Sequence, residues 1–301
     1  MNKQELITGA SGLVGSEIDI PGAIKIRSKD FDLTNQEHVQ AMFGRYKPSH
    51  VIHCAAKVGG LGANMRQPSE FFEDNILMNT LMLQEARLHN VKKFVGFSST
   101  CVFPAEVEYP LTPDKIHLGP PHESNAAYAY AKRMAIVQMG AYREQYGINY
   151  TTVIPCNIYG PRDNYNVDQC HVIPALIRKC YEAVRDDQWF RVWGSGKPMR
   201  EFIYSGDVAK LTQKILYDYE GHDPIILSTS EEISIGDIAK MIARLMNYDK
   251  QILFDKDKPD GQLRKPSDNT PLRTMYPDFE FTPIIDGLKK SISWFLEEVI
   301  E

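Results

Sequence analysis

Tyr128 and Lys132 stand four positions apart in the segment Tyr128-Ala129-Tyr130-Ala131-Lys132, which we predict to be helical. Residues at i and i+4 lie on one face of a helix, about 5–6 Å apart, so a phenol and an ammonium here can address one carbonyl. The ammonium would favour the phenolate, so we expect the pKa of Tyr128 to fall from about 10 toward neutrality. This makes Tyr128 a candidate proton donor, although the same spacing also occurs by chance in helices without catalytic function.

A run of hydroxyl side chains, Ser98-Ser99-Thr100, follows a strand that we predict at 93–97. In an open parallel sheet, ligands bind outside the carboxyl ends of the strands. A serine run in such a place is also typical of simple turns. Together with the Tyr-x-x-x-Lys helix, Ser99 would complete a catalytic set, because its hydroxyl can hydrogen-bond the same carbonyl oxygen.

A glycine-rich turn follows the first predicted strand, at 5–8. The order strand, glycine turn and helix start is typical of a dinucleotide-binding turn, in which glycines let the backbone approach a pyrophosphate. A tight turn without a ligand is the alternative. The predicted cofactor-binding residues of this turn are Gly9, Ser11, Gly12, Leu13, Val14 and Gly15.

The first crossover is unusually short. Residues 16–20 allow only about one and a half helical turns before Pro21-Gly22 ends the helix. The second strand, at 23–26, leads into Arg27 and Lys29. In this type of fold that position meets the adenosine ribose, and basic residues there accommodate the 2′-phosphate of NADP. We therefore expect NADP(H) rather than NAD(H), with a pair of solvated surface cations as the alternative.

The alternation of strands and helices predicts an α/β fold, a Rossmann-type doubly wound parallel sheet with a smaller mixed α/β substrate domain. We expect an NADP-binding domain at 1–160 and a mainly substrate-binding domain at 161–301, with a segment near 202–228 returning to the first. Thr34-Asn35-Gln36-Glu37 fits a capping box that begins a helix. A long helix at 69–89 carries a wide apolar stripe, which suits ordinary core packing or a partner subunit.

Composition narrows the possible functions. The chain has 301 residues, 43% of them hydrophobic, and a net charge of −5, which gives no general reason to bind nucleic acid or an anionic membrane. No apolar run is long enough to span a bilayer, and residues 1–4 lead directly into a strand without a signal peptide. We expect a cytoplasmic protein. Five cysteines without a C-x-x-C pair indicate neither a disulfide framework nor a metal site.

These motifs together resemble the extended short-chain dehydrogenases/reductases that act on nucleotide sugars, and more narrowly the GDP-L-fucose synthase family. The broader resemblance rests on the glycine turn, Ser99 and Tyr128-x-x-x-Lys132. The narrower one covers nearly the whole chain. Its motifs are Ala56-Lys57-Val58-Gly59-Gly60, Ser99-Thr100-Cys101-Val102-Phe103-Pro104, Gly160-Pro161-Arg162-Asp163-Asn164, His171-Val172-Ile173-Pro174, Val192-Trp193-Gly194-Ser195-Gly196, Met199-Arg200-Glu201-Phe202-Ile203-Tyr204 and Pro259-Asp260-Gly261.

The resemblance implies conversion of GDP-4-keto-6-deoxy-D-mannose to GDP-L-fucose, by epimerisation at C3 and C5 and NADPH-dependent reduction at C4. Cys101 and His171 would be the acid/base pair for the two carbons, because thiols and imidazoles have ordinary pKa values on either side of neutrality. Tyr128 would protonate the C4 oxygen, with Ser99 sharing that oxygen and Lys132 binding the nicotinamide ribose.

The resemblance also implies the remaining contacts. Pro155, Asn157, Ile158 and His171 would border the cofactor. The GDP-sugar would be held by Asn64, Lys179, Trp193, Arg200, Asp260 and Lys265, three of which are cations suited to a diphosphate. A homodimer is implied, formed by the helix at 69–89 and the Tyr128 helix packing against their symmetry mates in a four-helix bundle.

Two other functions remain open at this point. An NAD-retaining nucleotide-sugar 4-epimerase or 4,6-dehydratase could use the same scaffold, although a dehydratase is expected to have Thr-Asp or Thr-Glu where Thr100-Cys101 stands. A catalytically inactive member could serve as a nucleotide-sensing, redox-sensing or RNA-binding regulator. Both Tyr128 and Lys132 are retained, and no basic stripe with interleaved aromatic residues occurs.

Overall fold

The structure is a computed structural model that describes residues 4–166, 169–258 and 260–300. Pro259 of the motif Pro259-Asp260-Gly261 and the first three residues, on which the expectation about a signal peptide depends, lie outside the described residues. The strands are β1 Glu5–Thr8, β2 Ile24–Ile26, β3 His50–His53, β4 Lys93–Phe97, β5 Tyr150–Pro155, β6 Asn157–Tyr159, β7 Arg191–Trp193, β8 Met199–Tyr204, β9 Ile225–Leu227, β10 Glu232–Ser234 and β11 Leu253–Asp255. The α-helices are α1 Gln36–Tyr46, α2 Leu61–Arg66, α3 Pro68–Leu88, α4 Ala126–Tyr146, α5 Val172–Arg185, α6 Ser205–Asp218, α7 Ile235–Leu245, α8 Thr270–Met275 and α9 Ile284–Phe295.

The largest sheet has six parallel strands in the order β2-β1-β3-β4-β5-β9. Neighbouring residues of each central strand point to opposite faces, so both faces need apolar cover. Leu6 packs with α1, α3 and α4 on one face, whereas Ile7 packs with α6 on the other. The predicted doubly wound α/β fold is therefore confirmed.

A smaller region begins at β6. It contains a three-stranded sheet, β10-β8-β6, and a two-stranded sheet, β11-β7. Its core packs the apolar faces of α5, α7 and α9 around Tyr159 and Phe202. Between β8 and β10 the chain returns to the large sheet, where β9 pairs in parallel with β5. The smaller region therefore begins at the carboxyl end of β5, on the edge where open parallel sheets bind their ligands.

Several local expectations need correction. Asn35, not Thr34, is the N-cap of α1, because its side chain accepts hydrogen bonds from the backbone N–H groups of Glu37 and His38. The first crossover is only a 3-10 turn at Gly15–Glu17, shorter than the predicted helix. The short strands β6, β8, β10 and β11 and the helices α2 and α8 were not predicted. No helix within the described ranges has the length and apolarity to cross a membrane.

Candidate active site

The helix α4 places Tyr128 and Lys132 on one face, as the spacing predicted. The Lys132 Nζ lies 5.8 Å from the centroid of the Tyr128 ring. Lys132 is only 2% exposed, and Tyr128 is half-buried. The helix ends where Gly147 takes a left-handed conformation, with φ of 67°, as is common for a glycine that follows a helix.

The expected lowering of the Tyr128 pKa is wrong for the ligand-free chain. Burial raises the pKa of the Tyr128 phenol well above its ordinary value, and the nearby Cys101 adds to this effect. Burial also lowers the pKa of Lys132 to about 8. Desolvation disfavours the charged form of each group, and it is the largest cause of both pKa shifts. Tyr128 therefore holds its proton at neutral pH, as a proton donor must.

Ser99 and Cys101 lie just beyond the carboxyl end of β4, where the chain forms a 3-10 turn at Thr100–Val102. The backbone N–H of Cys101 donates to the Ser99 Oγ over 3.3 Å. The Asn125 Nδ2 donates to the Cys101 Sγ over 3.0 Å. The turn packs against α4, so Ser99 and Cys101 are brought to the same cleft as Tyr128.

His171 is the N-cap residue of α5 and is exposed to solvent. Neighbouring protein atoms nevertheless exclude part of the water around its imidazole. This desolvation lowers the pKa of His171 and favours the neutral ring. The segment before it packs on the glycines of the Lys57-Val58-Gly59-Gly60 motif. The Gly60 N–H donates to the Gln169 carbonyl over 2.6 Å, and a Cβ on Gly60 would lie 2.3 Å from the Cys170 oxygen. These glycines thus allow the segment that leads to His171 to pack closely on the Lys57-Val58-Gly59-Gly60 motif.

The side chain of Asn64, which the resemblance implies would face the sugar, hydrogen-bonds the glycines of the Lys57-Val58-Gly59-Gly60 motif. The side chain is 8% exposed, and its Nδ2 donates to the Gly59 oxygen over 2.9 Å and to the Gly60 oxygen over 3.1 Å. Both amide hydrogens are used in this way. Asn64 therefore holds the glycine turn against which the His171 segment packs.

The glycine turn after β1 has the geometry of a phosphate cradle. Gly9 has a φ of +67°, and a Cβ there would lie 2.7 Å from the Ala55 nitrogen. A Cβ on Gly15 would lie 2.2 Å from the Gly9 oxygen. The Gly12 N–H donates to that same oxygen over 3.0 Å, and Ser11 and Gly12 are exposed. Only glycine fits two of these positions, and the exposed backbone fits a pyrophosphate of a dinucleotide.

Arg27 and Lys29 follow β2 and are both exposed. The Arg27 Nε lies 3.7 Å from the Asp30 Oδ2, whereas Lys29 has no ion pair within the described part of the chain. Of the two cations, Lys29 is therefore the one without a competing carboxylate in the described ranges, and the more available to bind a phosphate. At the other side of the turn, the Leu13 side chain packs near Gly160 and Val14 is buried.

The residues predicted to border the nicotinamide lie at the end of β5 and in β6. Pro155 ends β5 and pairs with Leu227. Ile158 packs against the large-sheet core. Asn157 is exposed, and its Nδ2 donates to the Glu201 backbone oxygen over 2.8 Å, which ties β6 to β8.

Arg200 and Lys265 converge on the cleft. The Arg200 Nη1 donates to the Met199 and Gln262 carbonyl oxygens, each over 2.7 Å. Lys265 lies near both Arg200 and Cys101, and burial together with the Arg200 charge lowers its pKa. Neither cation forms a salt bridge with an acidic residue in the described ranges. Two neighbouring, half-buried cations that form no salt bridge in the described ranges are suited to a diphosphate.

Trp193, Lys179 and Asp260 form a second group in the smaller region. The Lys179 Nζ lies 4.2 Å from the centroid of the Trp193 ring, which is 60% exposed. Asp260 is engaged by Ser195, whose backbone N–H donates over 2.8 Å and whose hydroxyl donates over 2.6 Å. The Asp260 carboxylate therefore orders the Gly194–Gly196 turn that follows Trp193.

Two neighbours of the site were not predicted. Lys258 lies beside Trp193, with its Nζ 5.6 Å from the ring centroid. Nothing in the sequence separates this lysine from ordinary solvated ones. Asn125 contacts Cys101, and its place one turn before Tyr128 in the same helical segment is the signal that could have identified it.

Comparisons with known proteins agree with this geometry. Residues 22–228 match the NAD dependent epimerase/dehydratase family. A GDP-L-fucose synthase from Dictyostelium discoideum is 46% identical, over 97% of this chain and 95% of the relative. The chain belongs to the NAD dependent epimerase/dehydratase family, and within it to the GDP-L-fucose synthases.

Other members of the GDP-L-fucose synthases support the same assignment. A probable GDP-L-fucose synthase from Drosophila melanogaster is 42% identical over 98% of both chains. The crystal structure of a GDP-L-fucose synthetase from Naegleria fowleri bound to NADP is 38% identical and superposes with a TM-score of 0.92, over 99% of this chain and 95% of that one. The resemblance read from the sequence is therefore confirmed.

Proposed function

We propose that the protein converts GDP-4-keto-6-deoxy-D-mannose to GDP-L-fucose, by epimerisation at C3 and C5 followed by NADPH-dependent reduction at C4. The observation that carries the proposal is the convergence of Tyr128, Ser99, Cys101 and Lys265 on one cleft, in a chain similar to GDP-L-fucose synthases over nearly its whole length. A thiol beside the Tyr-Lys pair supplies the additional acid/base group that epimerisation needs and simple reduction does not.

Epimerisation requires proton removal from a carbon next to the ketone and proton return on the opposite face. Cys101 and His171 are the proposed acid/base pair. The imidazole of His171 is kept neutral by its lowered pKa, so it can accept a proton at neutral pH. In each exchange the C–H electron pair forms a double bond to C4 while the carbonyl π pair moves to the C4 oxygen, and reprotonation of the enolate on carbon completes the inversion.

Reduction uses Tyr128 as the proton donor to the C4 oxygen. Its raised pKa keeps it protonated until charge develops on that oxygen. The Ser99 hydroxyl shares the oxygen, and Lys132 holds the nicotinamide ribose. NADPH, when bound, supplies the hydride to C4. The glycine cradle of Gly9, Gly12 and Gly15 would hold its pyrophosphate, and Arg27 and Lys29 its 2′-phosphate.

The GDP-sugar would lie across the smaller region. Arg200, Lys265 and Lys179 are the proposed cations for the diphosphate, which a protein of net charge −5 must bind through a local cluster. The exposed Trp193 offers an aromatic face to the base, and Asp260 supports the adjoining turn. In this proposal residues 1–160 form the cofactor domain, and 161–301 form the substrate domain except for the part that includes β9.

We further propose a homodimer built on α3 and α4. Tyr130, Met134 and Val137 are 39%, 39% and 47% exposed and lie at i, i+4 and i+7 on one face of α4. Phe72 on α3 is 40% exposed, and α3 packs against α4. Pairing of these helices with their symmetry mates would cover the apolar face in a four-helix bundle. The five free cysteines suit a reducing compartment such as the cytoplasm.

Separation of the two chemical steps tests the proposed function. The protein is incubated with GDP-4-keto-6-deoxy-D-mannose and NADPH in heavy water, with mass spectrometry of the sugar and NADPH absorbance recorded together. Cys101→Ser is expected to suppress deuterium incorporation at C3 and C5, while NADPH oxidation continues on unepimerised ketone, because a hydroxyl gives up its proton far less readily than a thiol. Tyr128→Phe is expected to retain exchange and lose reduction by roughly 10²–10⁴-fold.

Tyr130→Phe is the matched control, since this tyrosine is on the outer face of the same helix, and it should leave both steps unchanged. If Cys101→Ser leaves exchange at both carbons untouched, the protein is better described as a plain 4-ketoreductase. Absence of NADPH consumption by the wild type would instead favour a cofactor-retaining 4-epimerase or dehydratase.

A further inference from the structure

Asn125 occupies the N-cap position of α4 without capping the helix. An asparagine at this position ordinarily accepts a hydrogen bond from a backbone N–H of the first turn. Asn35 does so for α1, but the Asn125 side chain makes no such bond. Its Oδ1 is buried and has no hydrogen-bond partner among the residues that the structure describes. Helix capping therefore does not explain this side chain.

The Asn125 amide is directed instead to the sulfur of Cys101. Its Nδ2 donates to the Cys101 Sγ over 3.0 Å, and both side chains are half-buried. A thiolate is a stronger hydrogen-bond acceptor than a thiol, so an N–H donor at this distance favours the ionised form. The side chain makes this contact in place of a helix cap, and its Oδ1 stays buried without a hydrogen-bond partner, which is energetically unfavourable.

We propose that Asn125 is a positioning residue that orients the Cys101 sulfur and favours its thiolate for proton exchange at carbon. The inference rests on the proposed function, because it assigns to Cys101 the acid/base role described above. Among the described residues, Tyr128 and Lys265 lie close enough to Cys101 to interact with it electrostatically. Tyr128 approaches from α4 as a neutral phenol, and Lys265 approaches from the segment after β11 as a cation. Asn125 supplies the direct side-chain hydrogen bond.

The amide suits both states of the sulfur during exchange. The thiolate takes a proton from a ring carbon and becomes a thiol, while the C–H electron pair forms a double bond to C4 and the carbonyl π pair moves to the C4 oxygen. The Asn125 N–H group donates to the thiolate. Rotated by half a turn, the amide places Oδ1 at the sulfur, where it accepts the thiol proton. An aspartate at 125 could accept from the thiol but could not donate to the thiolate.

The test measures thiolate formation without any substrate. Wild type, Asn125→Asp and Asn125→Leu are alkylated with iodoacetamide across a pH series, and the rate at Cys101 is followed by mass spectrometry of its peptide. Asn125→Asp should raise the pH midpoint by one pH unit or more, since it replaces the donor with a charge of the same sign as the thiolate. Asn125→Leu should raise it by less, because only the donor is lost. Ser124→Ala removes a hydroxyl of the same turn, bonded to His122, and should leave the midpoint unchanged.

The chemical readout separates positioning from a merely structural role. In heavy water at neutral pH, Asn125→Asp should slow deuterium incorporation at C3 and C5 by about tenfold, with a smaller effect on hydride transfer to C4. An unchanged alkylation midpoint in both variants, with melting temperatures near that of the wild type, would overturn the inference. Equal loss of exchange and reduction at an unshifted midpoint would also overturn it. Failure of the wild type to exchange protons on this sugar would count against the proposed function. The alkylation midpoint uses no substrate, so it would still test the effect of Asn125 on the Cys101 thiolate.

Discussion

Lys132 should lower the stability of the ligand-free protein at neutral pH. Its ammonium lies in the protein interior, only 2% exposed, and forms no hydrogen bond or salt bridge with any residue in the described ranges. Burial lowers its pKa from 10.5 to about 8. Since one pKa unit is worth roughly 1.4 kcal/mol, the protonated lysine costs about 3 kcal/mol at pH 7. Lys132→Met, which keeps the apolar stem, should therefore raise the free energy of unfolding by about that amount while activity is lost.

The destabilisation by Lys132 should decrease as the pH rises. In the unfolded chain the lysine keeps its proton up to about pH 10.5, whereas in the native chain it releases the proton near pH 8. Between these values the unfolded state binds more protons, so the stability of the wild type rises with pH. The advantage of Lys132→Met is present in full below pH 8 and should shrink to about 1 kcal/mol at pH 10.

Urea denaturation of the ligand-free wild type and Lys132→Met at pH 7 and pH 10 measures both quantities. Lys240→Met is the matched control. Lys240 is exposed on α7, with a surface ion pair to Asp237, so its replacement should change stability by no more than about 0.5 kcal/mol at either pH. A Lys132→Met variant that is no more stable than the wild type, or whose advantage is the same at both pH values, would refute the reasoning.

Three further predictions concern the cofactor turn and the outer face of α4. Lys29→Ala should narrow the preference for NADPH over NADH by about tenfold or more, measured as the ratio of kcat/KM values. Arg27→Ala should narrow this preference by less, because Arg27 is paired with Asp30. A wild type that prefers NADH would contradict the proposed role of both cations. Gly15→Ala should abolish NADPH binding in a fluorescence titration, since its Cβ would meet backbone at 2.2 Å. Gly44→Ala, where a Cβ meets nothing within 4 Å, should bind normally and gain up to about 1 kcal/mol of stability. Val137→Asp should convert a dimer to a monomer in light scattering at micromolar concentration, and a monomeric wild type would contradict the proposed interface.

Much of the cofactor half could be predicted because its signals are local. Tyr128 and Lys132 share a face through helix periodicity alone, and the glycine turn depends on backbone conformations that only glycine adopts freely. The parallel sheet follows from short apolar strands that alternate with helices, since such strands need cover on both faces. The first crossover was expected to be short, but a 3-10 turn could not be distinguished from a brief helix by length.

The capping box at Thr34 failed for a related local reason. Its hydroxyl is hydrogen-bonded to the Asp32 carboxylate, which left the cap to Asn35. The strands β6 and β8 escaped prediction because each depends on pairing with the other, over more than forty residues of sequence. Strand propensity is weak in segments of three to six residues, and tertiary pairing decides them.

The protonation states were decided only by tertiary structure. Spacing placed an ammonium beside the Tyr128 phenol, but the pKa of each group depends on how much water the remaining chain excludes. Lys265 reaches Cys101 and Arg200 across a long separation in sequence, and the sequence carries no signal for such a distance. Asn125 was hidden for the opposite reason, because an asparagine before a helix predicts a cap. Its contact with Cys101 exists only because β4 and α4 bring the two residues to one cleft.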